Sequence, residues 1–137
     1  MPLAVPNAGE VRLLEIIVGK STLAAGELVL HLYVNQVDLT DESFTEASFT
    51  EASASGYASV TLTGSNWTAS TDPGTGVSTA VYASNVTFQF SVGEDVYGYY
   101  ITNNAGEILW AEQFPSAPFA LPSTGGEISI KPQVQLS

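Results

Sequence analysis

His31 is the single histidine of the chain, and any nucleophilic triad would have to be built around it. It falls in the middle of a predicted strand, and no Gly-x-Ser-x-Gly motif stands near it. Cysteine is absent, so no thiol nucleophile is available either. The sequence therefore predicts a structural or surface role for His31.

Carboxylates are abundant, since fourteen Asp and Glu residues are present, and a glycosidase needs only two of them. Glu112 is the most suggestive, because strand parity places it on one face with Ile108, Trp110 and Phe114. A single acid on an apolar strand face more often accepts a hydrogen bond from a backbone amide or pairs with a cation across an interface. We therefore predict no catalytic residue.

Asp38, Asp41 and Glu42 form an acidic run that offers oxygen ligands to calcium. The run lacks the regular ligand spacing and the central glycine of an EF-hand loop, so a solvated loop is the better prediction. The glycines within residues 71–76 precede no lysine and no predicted helix, which argues against phosphate binding. We predict no metal, no cofactor and no enzymatic activity.

The charge balance restricts the possible partners. Arg12, Lys20 and Lys131 are the only cations, and the formal net charge is -11. Three scattered cations make no patch for a nucleic acid backbone or an anionic membrane. The chain start lacks the basic and apolar segments of a signal peptide, and no stretch approaches the ~20 apolar residues of a membrane span. We expect no nucleic acid or membrane partner, and synthesis in the cytoplasm.

The first element that would position these residues is a predicted helix over residues 7–20. Asn7 is its predicted N-cap, Glu10 completes a capping box, and Gly19 is a plausible stop. One apolar stripe follows spacings of three and four and comprises Val11, Leu13, Leu14, Ile17 and Val18. The stripe predicts that this face of the helix packs on the rest of the protein.

From residue 27 onward the apolar period changes to two, which indicates strands. Predicted strands cover residues 27–35, 58–62, 77–82, 85–92, 96–102, 107–114 and 127–136. Residues 103–106 predict a tight hairpin turn, and Pro132 predicts a sheet edge or a break. The expected fold is an all-β, jelly-roll-like antiparallel β-sandwich with a short N-terminal α-helix, forming a single domain over residues 1–137.

A tandem repeat lies within a predicted loop at residues 38–55. Ser43-Phe44-Thr45-Glu46-Ala47 is followed at once by Ser48-Phe49-Thr50-Glu51-Ala52. A period of five fits neither a strand nor a helix. The segment is either a duplicated stretch in a tolerant loop or an arm whose Phe44 and Phe49 dock on a neighbouring subunit.

Aromatic residues are the best candidates for a protein interface. The candidates are Phe44, Phe49, Tyr97, Tyr99, Tyr100, Trp110 and Phe119. Tyr99 and Tyr100 must point to opposite faces of one strand, so part of the set belongs to the core. Tyr and Trp are common in protein contacts, and the same residues also make sugar-stacking platforms, so a carbohydrate-binding module is the alternative.

Several motifs carry a resemblance to a known family. They are Gly56-Tyr57-Ala58, Thr61-Leu62-Thr63-Gly64 with Trp67, Val96-Tyr97-Gly98-Tyr99-Tyr100-Ile101-Thr102, Leu109-Trp110-Ala111-Glu112-Gln113-Phe114 and the closing residues 128–137. Together they resemble small structural proteins of tailed phages, in which a single Phe-Thr-Glu-Ala unit precedes the Gly-Tyr-Ala motif.

This resemblance implies a virion protein of the capsid decoration or cement type, with a jelly-roll core. Such proteins sit as trimers on the outside of the head shell and clamp the capsomers together. The implied partners are the major capsid protein and further copies of the same chain, which form a homotrimer. The alternative that the resemblance leaves open is a receptor- or carbohydrate-binding module attached to the tail.

Overall fold

The computed structural model describes residues 3–24 and 26–136. Met1, Pro2, Ala25 and Ser137, which the predicted domain includes, lie outside the described residues. The described part contains one helix, α1 (Asn7–Ile17), and short 3-10 turns at Glu46–Ser48 and Gly64–Asn66. Its strands are β1 (Leu28–Tyr33), β2 (Val60–Leu62), β3 (Trp67–Thr71), β4 (Ser78–Tyr82), β5 (Val86–Phe90), β6 (Asp95–Val96), β7 (Gly98–Thr102), β8 (Ile108–Gln113), β9 (Phe119–Ala120), β10 (Gly126–Ile130) and β11 (Gln133–Leu136).

A four-stranded antiparallel sheet in the order β2-β1-β7-β8 forms the centre of the fold. Strands β7 and β8 make the hairpin expected from the sequence, and Gly106 takes a positive φ of 87° in its turn. The Asn103 side chain stabilises this turn, because its Oδ1 accepts hydrogen bonds from the Ala105 and Glu107 amides, both at 3.0 Å. A register shift in the hairpin leaves Leu109 as an extra residue on β8. Ile108 therefore lies on the opposite face from Trp110, and the parity prediction that they share a face is wrong.

The remaining longer strands form two further antiparallel sheets, which we together call the second layer because side chains of both lie in one core with the central sheet. β5 pairs with β10, and β4 pairs with both β11 and β3. The last two strands, β10 and β11, are separated at Pro132, whose carbonyl accepts a hydrogen bond from the Tyr82 amide at 2.9 Å. The prediction that Pro132 breaks its strand is confirmed, because proline has no amide hydrogen to donate.

One apolar core joins the two layers. The alternation predicted for residues 85–92 is confirmed within β5, since Val86, Phe88 and Phe90 are buried and the residues between them are exposed. The strand ends at Phe90, and Val92, predicted to be on the buried face, is 43% exposed. The three buried side chains pack against Leu30 and Leu32 of the central sheet. The expectation of an all-β chain with antiparallel sheets and one short N-terminal helix is therefore confirmed.

The opposite face of the central sheet is covered by the loop that carries the tandem repeat. Phe44 and Phe49 are buried there against Tyr33 and Tyr100, so the two phenylalanines do not lie on a projecting arm. The end of the repeat runs alongside β1, because the Ala52 amide donates to the Leu32 carbonyl at 2.9 Å. Burial of both rings removes more apolar surface from water than an exposed arm would.

Helix α1 differs from its prediction at both ends. Pro6 is the N-cap, and no side-chain capping bond forms, so the capping box expected from Asn7 and Glu10 is absent. The Pro6 carbonyl instead accepts the first helical hydrogen bond, from the Glu10 amide at 2.9 Å. The helix ends at Ile17 rather than at residue 20, and Gly19 follows with a φ of 74°, which suits a glycine stop.

Candidate functional site

The outward side of α1 is apolar. We call this surface the outer face of α1 and define it by Val11, Leu14, Ile17 and Val18, whose exposed fractions lie between 57% and 77%. Helical geometry places Val11, Leu14 and Val18 roughly opposite Gly9, the buried residue of the helix. The sequence predicted that the stripe packs inward. That prediction is wrong for these four residues, whereas Leu13, the fifth residue of the predicted stripe, is half-buried.

Contacts on the inward side of α1 explain its orientation. A Cβ atom on Gly9 would lie 2.3 Å from the carbonyl oxygen of Leu109, so the helix approaches β8 through the one residue without a side chain. One turn later, Arg12 forms a 3.4 Å ion pair with Glu27. Glu27 is itself buried and accepts a 2.7 Å hydrogen bond from the Ala24 amide.

Sequence reasoning missed the role of Gly9. A glycine in the first turn of a helix lowers helix propensity, and that cost is a signal that the backbone approaches another element closely. The apolar stripe by itself cannot say which side of the helix faces the sheet. The glycine and the Arg12–Glu27 pair fix the orientation, which leaves the stripe facing solvent.

The seven aromatic interface candidates lie in different parts of the structure. Tyr99 and Trp110 are buried in the core between the two layers, and Phe44, Phe49 and Tyr100 are buried beneath the repeat loop. Tyr97 is half-buried against the latter group. Phe119, on β9, is 50% exposed. The expectation that Tyr99 and Tyr100 point to opposite faces is confirmed.

A sugar-stacking platform needs aromatic rings whose faces are open to solvent. Trp110, one of the aromatic candidates for such a platform, is buried. Tyr99 is covered as well, and its hydroxyl donates a 2.6 Å hydrogen bond to Oε2 of Glu112. Glu112 is thus bonded to a core tyrosine, which is an ordinary structural role for a half-buried acid.

A polar cluster with triad-like connectivity surrounds His31. Nδ1 of His31 lies 2.9 Å from Oε1 of Glu51, and Nε2 lies 3.0 Å from the hydroxyl of Thr102. The same Glu51 oxygen accepts a 2.9 Å hydrogen bond from Tyr57, whose hydroxyl accepts the Leu32 amide at 3.0 Å. Nothing in the sequence spacing signals this cluster, because the sheet register alone brings its members together.

The geometry of this cluster favours a structural role. A nucleophile must reach its substrate, but Thr102 is only 4% exposed. The imidazole of His31 stacks on Tyr100 with ring centroids 4.7 Å apart. Its two nitrogens connect β7 to Glu51 at the end of the tandem repeat, so the cluster fastens the repeat to the central sheet.

Burial shifts the pKa of tyrosines in the core and beneath the repeat loop. It raises the pKa of Tyr33, Tyr57, Tyr99 and Tyr100 above the ordinary value. For Tyr100, burial is the largest cause and the negative charge of Glu51 the second, and together they raise the pKa to about 12. These hydroxyls remain protonated at neutral pH and serve as hydrogen-bonding groups.

In the acidic run after β1, the carboxylates of Asp38 and Asp41 accept hydrogen bonds from residues close to them in the sequence. Asp38 accepts hydrogen bonds from the amide and hydroxyl of Thr40, at 2.9 Å and 2.6 Å, which lower its pKa. The Ser43 side chain, and after it the Ser43 amide, which donates to Asp41 at 3.0 Å, lower the pKa of Asp41. Within residues 3–24 and 26–136, no three His, Cys, Asp or Glu side chains are grouped so as to hold a metal ion.

An open cleft of about 650 Å³ lies beside β6 and is lined by Val34, Val92, Glu94, Asp95 and Leu121, among others. The Glu94 carboxylate accepts the amides of Ser53 and Ala54, at 3.4 Å and 3.2 Å. That acid fastens the chain after the repeat, which is again a structural use of a carboxylate.

The comparisons with known proteins give no family. The sequence matches no family model and no curated protein, and the fold matches no solved structure. None of the helical residues in the described part of the chain forms a segment long and apolar enough to cross a membrane.

Proposed function

We propose that this chain is a non-catalytic structural protein of a phage virion. In this proposal it is a capsid decoration protein with a jelly-roll core, which binds the outer surface of the head as a homotrimer and contacts the major capsid protein. The observation that carries the proposal is the outer face of α1, where four large aliphatic side chains remain exposed after the core has closed. Apolar surface of this kind marks a site that another protein covers.

The side chains that could have taken part in catalysis support the same conclusion. His31 bonds to both Glu51 and Thr102, and Thr102 is buried. Glu94 and Glu112 each accept hydrogen bonds from the protein itself. A decoration protein needs no reactive group, because it stabilises a shell by binding the assembled lattice and not the dissociated subunits.

The direct test is co-sedimentation of the purified protein with expanded phage heads that lack it. We expect saturable binding and an increase in the temperature at which the heads release their DNA. Unexpanded heads serve as the control, since they present a different lattice. Protein that remains in the supernatant at every concentration would contradict the decoration function.

A receptor- or carbohydrate-binding module of the tail is the second candidate, and Phe119 is the observation that favours it. This ring is half exposed on a two-residue strand, whereas Trp110 is buried. Binding to a glycan array that disappears in a folded Phe119→Ala variant would support this candidate over the first.

A further inference from the structure

A polar pocket of about 380 Å³ lies beside the loop that joins β3 to β4. Three of its lining residues form what we call the polar row, which consists of Ser70, Thr79 and Gln135. They stand side by side across β3, β4 and β11, because Ser70 pairs with Thr79 and Thr79 with Gln135. Val134 packs against the core, and side chains alternate along a strand, so the polar row points away from the core.

The loop between β3 and β4 forms the other wall of the pocket, through Asp72, Thr75 and Val77. Hydrogen bonds within the loop hold this wall in place. The Asp72 amide donates to the Val77 carbonyl at 2.9 Å, and the Gly76 amide donates to the Asp72 carbonyl at 2.8 Å. Oδ1 of Asp72 accepts the Gly74 amide at 2.8 Å. The pocket is therefore formed before a ligand binds, which lowers the entropic cost of binding.

The pocket presents hydrogen-bonding side chains that the protein does not use itself. Within residues 3–24 and 26–136, the side chains of the polar row have no hydrogen-bond partner. The hydroxyls of Ser70 and Thr79 and the amide of Gln135 can each donate and accept, whereas the carboxylate of Asp72 only accepts. A ligand with several hydroxyl groups fits this set, because a hydroxyl also donates and accepts.

The lining argues against other classes of ligand. It contains no cation, so a phosphate or carboxylate group would meet the charge of Asp72 without a counter-charge. One carboxylate provides too few charged oxygens for a metal ion. Val77 is the one aliphatic residue of the lining, so a lipid would leave the polar row buried without partners. The main-chain groups of the loop bond to each other, which leaves little for a peptide backbone to pair with.

We infer that this pocket binds a neutral saccharide. A sugar ring carries hydroxyls around its edge, which match the polar row and Asp72, and C–H groups, which can lie against Val77. No aromatic ring lines the pocket, so stacking does not contribute, and we expect a dissociation constant of about 1 mM. This inference goes beyond the proposed function, which rests on the outer face of α1 at the central sheet.

NMR titration of the ¹⁵N-labelled full chain tests the inference. The probes are glucose, galactose, mannose and N-acetylglucosamine, each taken to about 50 mM so that a site of millimolar affinity saturates. We expect at least one of them to shift the amide signals of residues 70–79 and 133–136 in a saturable way. The 6-phosphate of the sugar that binds best is the anionic probe, and it should bind more weakly because Asp72 repels it.

Two threonine variants locate the site. Thr79→Val removes the hydroxyl at the centre of the polar row, and valine keeps the β-branched shape and favours strands, so the fold is retained. Thr68→Val makes the same change at an exposed residue of β3 that lies outside the lining. We expect Thr79→Val to raise the dissociation constant about fivefold, as the loss of one hydrogen bond does, and Thr68→Val to leave it unchanged.

The outcomes separate this inference from the decoration function. Spectra that no sugar changes, or a Thr79→Val variant that binds as tightly as the wild type, overturn the inference. Equal shifts from an end-blocked peptide of alternating glycine and serine also overturn it, because the site would then bind a main chain. Thr79→Val should co-sediment with phage heads like the wild type, and loss of head binding would assign the pocket to the capsid instead. Wild-type protein that binds a sugar but no heads contradicts the decoration function alone.

Discussion

Phe49 stacks on Tyr100 with ring centroids 4.6 Å apart, meets the edge of Tyr33 at 4.9 Å, and contacts Phe44 edge-on at 5.7 Å. These contacts make the phenylalanines of the tandem repeat part of the protein core. The five-residue period concealed this, because each ring reaches the same cluster from irregular backbone rather than from one face of a regular element.

Truncation of Phe49 therefore tests stability rather than assembly. We expect Phe49→Ala to lower the free energy of unfolding by about 3–5 kcal/mol, through lost burial and the cavity left behind. Urea denaturation followed by tryptophan fluorescence measures the change. Phe119→Ala is the matched control, because Phe119 is half exposed, and its cost should stay below about 1.5 kcal/mol. Equal costs would mean that the repeat is not packed as described.

Alkaline pH should unfold the protein through its buried tyrosines. Above pH ~10 the unfolded chain loses phenol protons that the folded chain keeps, so stability is complete below that pH and falls as pH rises. Tyr100, with a pKa of about 12, contributes about 1.4 kcal/mol per pH unit between the two values.

The Tyr100→Phe variant isolates this contribution. It keeps the stacking ring but removes the titrating hydroxyl, so the decline in unfolding free energy above pH ~10 should be shallower than in the wild type. Urea denaturation at a series of alkaline pH values measures the slope. Identical slopes would show that Tyr100 titrates normally.

At the scale of elements, periodicity predicted strands such as β1, β5 and β8, missed β3 and β9, and predicted the wrong orientation for the helix. A strand such as β5 has two faces, and alternation shows which one is buried. Helix α1 has an apolar stripe, but its position is set by Gly9 against the Leu109 carbonyl and by the Arg12–Glu27 pair. Those are tertiary contacts between distant parts of the chain, and hydrophobic spacing does not encode them. The triad-like cluster of His31 escaped prediction for the same reason.

Gly9→Ala tests the close contact between α1 and β8. The added methyl group would lie 2.3 Å from the backbone oxygen of Leu109, which cannot rotate away as a side chain would. Alanine improves helix propensity by at most about 1 kcal/mol, whereas overpacking costs about 1–3 kcal/mol, so the net effect should be destabilising.

Hydrogen exchange measures this effect where it occurs. We expect faster exchange across α1 in Gly9→Ala, with the amides of β5 and β10 unchanged. Gly74→Ala, the same substitution in an exposed loop, should leave exchange in α1 as it is in the wild type. Unchanged protection of α1 in Gly9→Ala would show that the helix does not depend on this close contact.

At the scale of the whole molecule, the chain is strongly acidic, since fourteen carboxylates stand against three cations and the formal net charge is -11. Charge of one sign keeps separate molecules apart, and it acts over the Debye length. Assembly of the proposed homotrimer must therefore overcome repulsion between the copies.

Salt should strengthen this association. Raising NaCl from about 0.01 M to about 0.15 M shortens the Debye length from about 30 Å to about 8 Å, which screens the repulsion between the acidic bodies. The apolar contact itself does not weaken, so the apparent dissociation constant should fall as salt increases. An interface held by ion pairs would respond in the opposite direction. Sedimentation velocity at the two salt concentrations decides between these two outcomes.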